Sequence, residues 1–300
     1  MIDVCLLGTG GMMPLPNRAL TSLYVRCDGK AILIDCGEGT QTAIRRASLR
    51  FKPIDAILIT HFHADHISGL PGLLLTLGNE GRTEAVHMYG PVGLEYVVES
   101  LRVIVGELPF DLVFHEFQTG TIAQFECCGL EADAFPLDHG MPCFGYRLER
   151  RRPGRFDPVR AKERGIPVQL WSRLQKGETL EGYVPEDVLG QPRQGLRLLY
   201  ATDSRPVHEM AELGQNADLM ILEGMFGEPE KQNRAIEARH MLMQEAAQIA
   251  REANAKRLWL THFSPANPEP EQFLETLQEI FPDTVIGTDG LYTGLRFPEP

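Results

Sequence analysis

The feature that most constrains this chain is the six-residue stretch 61–66, His-Phe-His-Ala-Asp-His, which packs three histidines and a carboxylate together. The preceding run, residues 55–60, is short, apolar and β-branched, which is typical of a buried strand. The following run, residues 67–76, is typical of a turn that leads into a buried helix. The six residues are therefore predicted to lie at the carboxyl end of a strand, where the chain leaves a sheet.

The spacing within this stretch indicates metal binding. Residues two apart in an extended chain point the same way, so His61 and His63 can bind one ion. Asp65 and His66 follow on the turn and point elsewhere, where they can bind a second ion. Imidazole and carboxylate together suit zinc, with iron or manganese as alternatives. The competing interpretation is a polar loop with chance histidines, which four ligand-type side chains in six residues argue against.

Composition limits the class of protein. The 300 residues suffice for one large domain or two ordinary ones, and a hydrophobic fraction of 43% suffices for a sizeable core. The net charge of −12 excludes a generally basic protein that coats nucleic acid, so any contact with nucleic acid must use a local patch. Six cysteines without a C-x-x-C pair predict buried thiols in a reducing compartment. The first residues read as a strand, no signal peptide or membrane span is indicated, and we expect a soluble, cytoplasmic protein.

The order of elements indicates the fold class. Strands alternate with helices up to about residue 105, and strands then follow strands up to residue 149. This mixed α/β pattern is typical of sheets that are covered by helices on their outer faces. A later alanine-rich helix is predicted over Arg239–Asn254, with His240 in its first turn.

Further candidate ligands follow other predicted strands. His139, Asp203 and His262 each come just after a strand, as residues 61–66 do. Strand ends on one edge of a sheet can deliver all seven side chains to one cleft. Asp35 also follows a strand, where a role in orienting the site and a role in the turn are about equally supported.

The segment between residues 150 and 176 differs from the rest of the chain. It has only two acidic residues, it contains Phe156 and Trp171, and we expect too little apolar content for a core of its own. A grip on a phosphate backbone and a solvated charged loop are both compatible with this composition. The nine basic residues are Arg150, Arg151, Arg152, Arg155, Arg160, Lys162, Arg164, Arg173 and Lys176.

Several stretches together resemble a known family. The His-x-His-x-Asp-His motif at 61–66 resembles the signature of the metallo-β-lactamase superfamily. The stretches 17–22, 33–41, 66–74 and 260–264, together with the basic segment, resemble ribonuclease Z, the tRNA 3′-processing endonuclease. The resemblance covers nearly the whole chain and matches the short form of that family.

The resemblance implies a four-layer αβ/βα sandwich with two zinc ions and precursor tRNA as substrate. It implies that His61, His63 and His139 hold one ion, that Asp65, His66 and His262 hold the other, and that Asp203 bridges them. Asp35 would support the histidines. Residues 150–195 would form an inserted, flexible arm that grips tRNA, often across a homodimer, within a single-domain chain of residues 1–300.

The same resemblance suggests how the reaction proceeds. Asp65 is the expected general base, and His240 is the expected proton donor to the departing 3′ oxygen of the tRNA. For His240, a predicted place at a helix N-terminus would favour a nearby phosphate. An exposed helix histidine without function is the alternative interpretation.

Two other hypotheses remain at this stage. One is a metallo-hydrolase of the same superfamily that acts on a small phosphodiester, sulfate ester or thioester. The basic segment argues against this hypothesis. The other is a non-catalytic RNA-binding or regulatory protein, and the complete set of ligands argues against that hypothesis.

Overall fold

The computed structural model of the protein describes residues 1–180, 182–191 and 193–298. The chain divides into two compact units. The larger unit comprises Met1–Glu149 and the chain from Arg197 onward, and the smaller unit is Arg150–Leu196.

The first sheet has seven strands within the described residues. Its spatial order runs from the last strand, through the first, to the sixth. A hairpin joins β2 to β3 through Asp28 and Gly29, which both have positive φ (49° and 85°), as a tight two-residue turn requires. The strands are β1 (Ile2–Gly8), β2 (Ser22–Cys27), β3 (Lys30–Ile34), β4 (Ile54–Leu58), β5 (Val86–Pro91), β6 (Leu112–Phe117) and β14 (Tyr292–Leu295).

The second sheet also has seven strands within the described residues, and their spatial order is the reverse of the chain order. Its first three strands pair antiparallel, and its last four pair parallel. The strands are β7 (Ala123–Cys127), β8 (Leu130–Pro136), β9 (Phe144–Arg152), β10 (Arg193–Ala201), β11 (Leu219–Glu223), β12 (Leu258–Thr261) and β13 (Thr284–Ile286).

Helices cover the outer faces of both sheets. The third helix packs its leucines against the first sheet, and the alanine-rich ninth helix packs against the second. The predicted sandwich of two sheets between helices is therefore confirmed. None of these helices is both long and apolar enough to span a membrane. The helices of the larger unit are α1 (Thr40–Arg46), α2 (Ala64–Ile67), α3 (Leu70–Asn79), α4 (Leu94–Leu101), α7 (His208–Leu213), α8 (Gln232–Ala238), α9 (Met243–Glu252) and α10 (Leu274–Ile280), and those of the smaller unit are α5 (Pro158–Glu163) and α6 (Val168–Gln175).

Alternation along the strands builds the core on both sides of each sheet. Cys5 and Leu7 of β1 belong to the cluster beneath the helices. Because successive side chains point to opposite faces, Val4 and Leu6, which are also buried, turn toward the space between the sheets. The six cysteines are free, and all but Cys128 are buried, as the composition predicted.

The predicted start of the late helix is wrong. The sequence predicted a helix from Arg239 with His240 in its first turn, but α9 begins at Met243. Arg239 has a left-handed conformation (φ 55°) that ends α8, and the Glu245 carboxylate accepts a hydrogen bond from the N–H of Leu242 at the start of α9. His240 therefore lies in the connection between two helices.

The smaller unit has a core of its own, which the sequence analysis did not expect. Four side chains that lie far apart in the sequence are buried together in it, and the ring of Phe156 packs against Trp171. The Asp157 side chain caps α5 by accepting from two backbone N–H groups, which fixes the start of that helix. The buried residues are Ala161, Ile166, Leu174 and Val188.

A buried hydroxyl joins the two sheets of the larger unit. The amide of Ile59 donates to Tyr89 of β5, and in a parallel ladder its carbonyl would accept from residue 91. Residue 91 is a proline, which has no N–H. The hydroxyl of Tyr146, on β9, donates to the Ile59 carbonyl instead, at 2.6 Å.

We expect Tyr146→Phe to lower the free energy of unfolding by about 1–3 kcal/mol, because the Ile59 carbonyl would remain buried without a donor. Urea unfolding followed by circular dichroism measures this loss. The control is Tyr96→Phe, because that ring is 78% exposed. Equal unfolding midpoints for the two variants would contradict the assigned role of the hydroxyl.

Candidate metal centre and active site

Three strand ends turn in the same uncommon way to build the site. Asp35 after β3, Asp203 after β10 and His262 after β12 all have left-handed backbones, with φ between 56° and 59°. Side chains other than glycine rarely adopt this conformation, because Cβ crowds the backbone. The three side chains converge on His66, whose ring nitrogens lie 2.8 Å from Asp35 Oδ2, 3.1 Å from Asp203 Oδ2 and 3.2 Å from His262 Nε2.

The three histidines of the first predicted group of ligands point their ring nitrogens toward one another in the cleft. His61 Nε2 lies 2.9 Å from His63 Nδ1, which lies 3.3 Å from His139 Nε2. Each of these histidines and Asp203 offers one ligand atom, and these atoms all lie within 4.8 Å of one another. His63 immediately precedes α2, and its ring is exposed to solvent, whereas His61 is fully buried.

The second group lies beside the first and shares Asp203 with it. Asp65 Oδ2 lies 3.7 Å from His66 Nε2 and 3.4 Å from His262 Nε2. Asp203 Oδ2 lies 3.2 Å from His262 Nε2. The structure thus brings together all seven predicted ligands, although their individual roles remain a prediction.

The donors of this cluster fit divalent metal ions. Asp203 Oδ2 is buried and accepts no hydrogen bond from the described residues, although two imidazole nitrogens lie close to it. A buried carboxylate oxygen in this state needs a cation, since an uncompensated charge is costly in the interior. Imidazole nitrogens that face each other at about 3 Å also place their lone pairs at a common point, which suits a metal ion.

Asp35 orients the histidines from behind. Its fully buried carboxylate accepts from the backbone N–H and the hydroxyl of Thr60, and Oδ2 lies 2.8 Å from His66 Nδ1. The Thr60 hydroxyl also lies 3.0 Å from His61 Nδ1. Burial raises the pKa of the Asp35 carboxyl, although His66 opposes this shift. The contacts direct the opposite nitrogens, Nε2 of both histidines, into the cleft, as an orienting residue should.

His240 reaches the cleft through a contact that the sequence analysis missed. Its Nδ1 lies 2.8 Å from Glu223 Oε2 and 3.9 Å from Asp203 Oδ1. Burial opposes protonation of the ring, but the carboxylates of Glu223, Asp203 and Asp65 together outweigh it and raise the pKa of His240 to about 9. Glu223 is fully buried at the end of β11. Its place at a strand end was the available signal, but a single carboxylate without neighbouring ligands did not stand out.

A second element missed from the sequence is the backbone of the loop after β1. The N–H of Met12 donates to Asp65 Oδ2 at 2.6 Å. A side chain at Gly11 would place its Cβ within 2.6–2.9 Å of the His262 ring, so only glycine fits there. The sequence showed the glycines of this loop but not which side chains they approach.

Some basic residues of the smaller unit form ion pairs or hydrogen bonds within the unit. Arg164 pairs with Asp187, Arg173 pairs with Glu178, and Arg160 donates to two backbone carbonyls. Arg155, Lys162 and Lys176 are exposed.

Comparison with known families agrees with the fold and the site. A family model described as the metallo-β-lactamase superfamily matches residues 17–176, and a second, described as a β-lactamase superfamily domain, matches residues 158–263. The chain therefore belongs to the metallo-β-lactamase superfamily.

Relatives that match over their full length assign the chain to a family within this superfamily. The chain is 51% identical over 303 residues to a ribonuclease Z of Lachnoclostridium phytofermentans, covering 99% of each chain, and 48% identical to a ribonuclease Z of Lachnospira eligens, covering 100% of this chain and 99% of the other. The crystal structure of the short form of human tRNase Z is similar, with a TM-score of 0.72 and 27% identity over 98% of this chain and 100% of that chain. Within the superfamily, this chain belongs to the ribonuclease Z family.

Removal of the shared carboxylate should remove bound metal. We expect Asp203→Ala to lose most of the divalent metal that the purified protein retains, and Asp35→Asn to weaken metal affinity about 10- to 100-fold, because it perturbs only the orientation of a ligand. Elemental analysis after desalting, followed by a chelator titration, measures both effects. His87→Ala is the control, since that histidine lies outside the cluster of ligand groups. Unchanged metal content in Asp203→Ala would exclude this assignment.

Proposed function

We propose that this chain is a metal-dependent endoribonuclease that removes the 3′ trailer from precursor tRNA and leaves a 3′-hydroxyl on the tRNA. The observation that carries the proposal is a cluster of seven candidate metal ligands, with a protonatable histidine beside it, in a chain related over its whole length to ribonuclease Z. The hypothesis of a small-molecule hydrolase is less well supported, because a diphosphatase of similar fold is only 21% identical to this chain, and this likeness concerns the fold alone.

The proposed metal content is two zinc ions, with manganese or iron as alternatives. His61, His63 and His139 would hold one ion, Asp65, His66 and His262 would hold the other, and Asp203 would be shared. Metal ions held there would activate a water molecule for attack and would offset the charge that develops on the phosphate. The two groups of ligand atoms and their common contact with Asp203 support this division.

Asp65 is the proposed general base. Its Oδ2 is held by the N–H of Met12 and faces His262, so the carboxylate has a fixed direction in the cleft. A positioned carboxylate can accept the proton of the attacking water, a role that typically contributes about 10²- to 10⁴-fold to the rate.

His240 is the proposed proton donor to the departing 3′ oxygen. Glu223 holds Nδ1, so Nε2 remains available to the substrate. Glu223 is a positioning residue, because it acts on the substrate only through His240. The fixed contact between the two side chains replaces the helix N-terminus that the sequence had suggested for this histidine.

The smaller unit, over about residues 150–195, is the proposed tRNA-binding arm, as the family resemblance implies. Its exposed cations can pair with phosphates, whereas Arg164 and Arg173 already have acidic partners within the unit. The resemblance also supports a cytoplasmic homodimer. Large exposed apolar side chains on α4 and the turn after it, Tyr96, Val103 and Ile104, are compatible with contact to a second copy.

A cleavage assay tests the proposed function. With zinc or manganese, the protein should cut a precursor tRNA once, near the end of the mature tRNA sequence, and leave a 3′-hydroxyl. We expect Asp65→Ala to lower the rate at least about 10²-fold, because it removes a base and a metal ligand. Asp111→Asn, which changes an exposed carboxylate, is the control. Hydrolysis of a small phosphodiester without any cut in the precursor would overturn the proposed substrate.

The arm has its own test. Replacing Arg155, Lys162 and Lys176 by alanine should weaken tRNA binding and reduce its dependence on salt, by about one unit of the log–log slope for each cation that contacts a phosphate. The matched control replaces three cations that already have partners within the unit, Arg160, Arg164 and Arg173. Filter binding at several salt concentrations gives both slopes. Equal losses in the two variants would show that total charge matters and that the unpaired cations have no special role.

A further inference from the structure

Two neighbouring methionines stand exposed beside the reaction centre. Met12 is 62% exposed and Met13 is 59% exposed, although both side chains are apolar. The N–H of Met12 is bonded to the proposed general base, Asp65, so these side chains begin within a few ångströms of the cleft. Neither methionine side chain is among the proposed metal ligands or proton-transfer groups.

The backbone beneath these methionines is fixed in a strained form. Met12 has a φ of 65°, and the N–H of Met13 donates to the carbonyl of Gly11 at 2.8 Å, which together form a rare γ-turn. The N–H of Gly11 donates to the carbonyl of Phe263, next to the ligand His262. Strain of this kind persists only where the surroundings impose it, and it concentrates at functional sites.

The rest of the loop is closed and stiff. Leu15 and Arg18 exchange two backbone hydrogen bonds, and the Arg18 guanidinium lies 4.6 Å from the centre of the Phe263 ring. Pro14 and Pro16 restrict the backbone on either side of Leu15. A rigid loop thus presents two flexible, polarisable side chains to solvent at the edge of the cleft.

The chemistry of methionine suits a nucleobase. Its thioether makes favourable contacts with aromatic rings and adapts to different ring shapes. Apolar side chains, methionine among them, also pack against exposed base faces in protein complexes with nucleic acids. The exposed pair is therefore suited to hold a base without selecting its identity.

The positions of the proposed proton donor and general base indicate which nucleobase of the substrate the methionines would contact. In an in-line displacement, the attacking and leaving oxygens lie on opposite sides of the phosphorus. The leaving oxygen belongs to the tRNA and would accept its proton from His240, whereas the phosphate stays on the 5′ oxygen of the trailer. The trailer nucleotide would therefore extend away from the leaving oxygen, toward the methionine loop that is bonded to Asp65. We propose that Met12 and Met13 form an apolar platform for the first base of the 3′ trailer. This inference rests on the proposed function.

The test combines protein and substrate changes. Met12→Ala with Met13→Ala should lower kcat/KM for precursor tRNA about 3- to 10-fold, mainly through KM, because apolar contact area with the base is lost while the backbone bond to Asp65 remains. Leucine at both positions should retain most of the activity, and glutamine, which is of similar length but polar, should behave as alanine does. Metal content and thermal unfolding of each variant report whether the loop still folds.

An abasic substrate separates the platform from other effects. Loss of the first trailer base should impair the wild-type enzyme by the same factor and impair the double-alanine variant little further. Loss of the last tRNA base should impair both proteins equally. If the losses from the abasic first trailer position and from the double-alanine variant are additive, the proposed platform is wrong. A leucine variant as slow as the alanine variant would also overturn it. Failure of the wild-type protein to cut the intact precursor would instead overturn the proposed function.

Discussion

The site depends on how the buried carboxylate of Asp203 is compensated. Its Oδ2 lies 3.1–3.2 Å from two imidazole nitrogens, yet it accepts no hydrogen bond from the described residues. A charge in this position is tolerable only beside cations. The ligand groups follow strands of both sheets, His61 after β4 and His262 after β12. Metal binding and the packing of the sheets against each other are therefore coupled, because ions that bind only the folded chain stabilise it.

The left-handed strand ends explain how a regular sandwich produces such a dense site. A strand that simply continued would carry its side chains past the edge of the sheet. At Asp35 the backbone turns while its N–H still donates to Leu58, and its carboxylate then accepts from Thr60. Hydrogen bonds thus offset the cost of the turn at the position where the side chain must change direction.

The sequence allowed the fold class and the ligand cluster to be predicted, because both leave periodic or closely spaced signals. Two histidines two residues apart reveal their common direction, and strand ends recur along the chain. Glu223 left no such signal, since one acidic residue at one strand end is unremarkable until the structure brings His240 to it. The contact of Asp65 with Met12 uses a backbone N–H, which every residue except proline has. The core of the smaller unit was missed because its few apolar residues, such as Ala161 and Val188, lie far apart in the sequence.

The loop between α8 and α9, and not helix α9 itself, fixes the position of His240. Oε1 of Glu223 accepts from the N–H groups of Ser204 and Met241, and Oε2 lies beside His240 itself. Ser204 directly follows Asp203, the proposed shared ligand, and Met241 directly follows His240. One buried carboxylate therefore ties the turn that carries the proposed metal ligand to the loop that carries the proposed proton donor. Because both are bonded to the same side chain, the distance between them does not depend on where α9 begins.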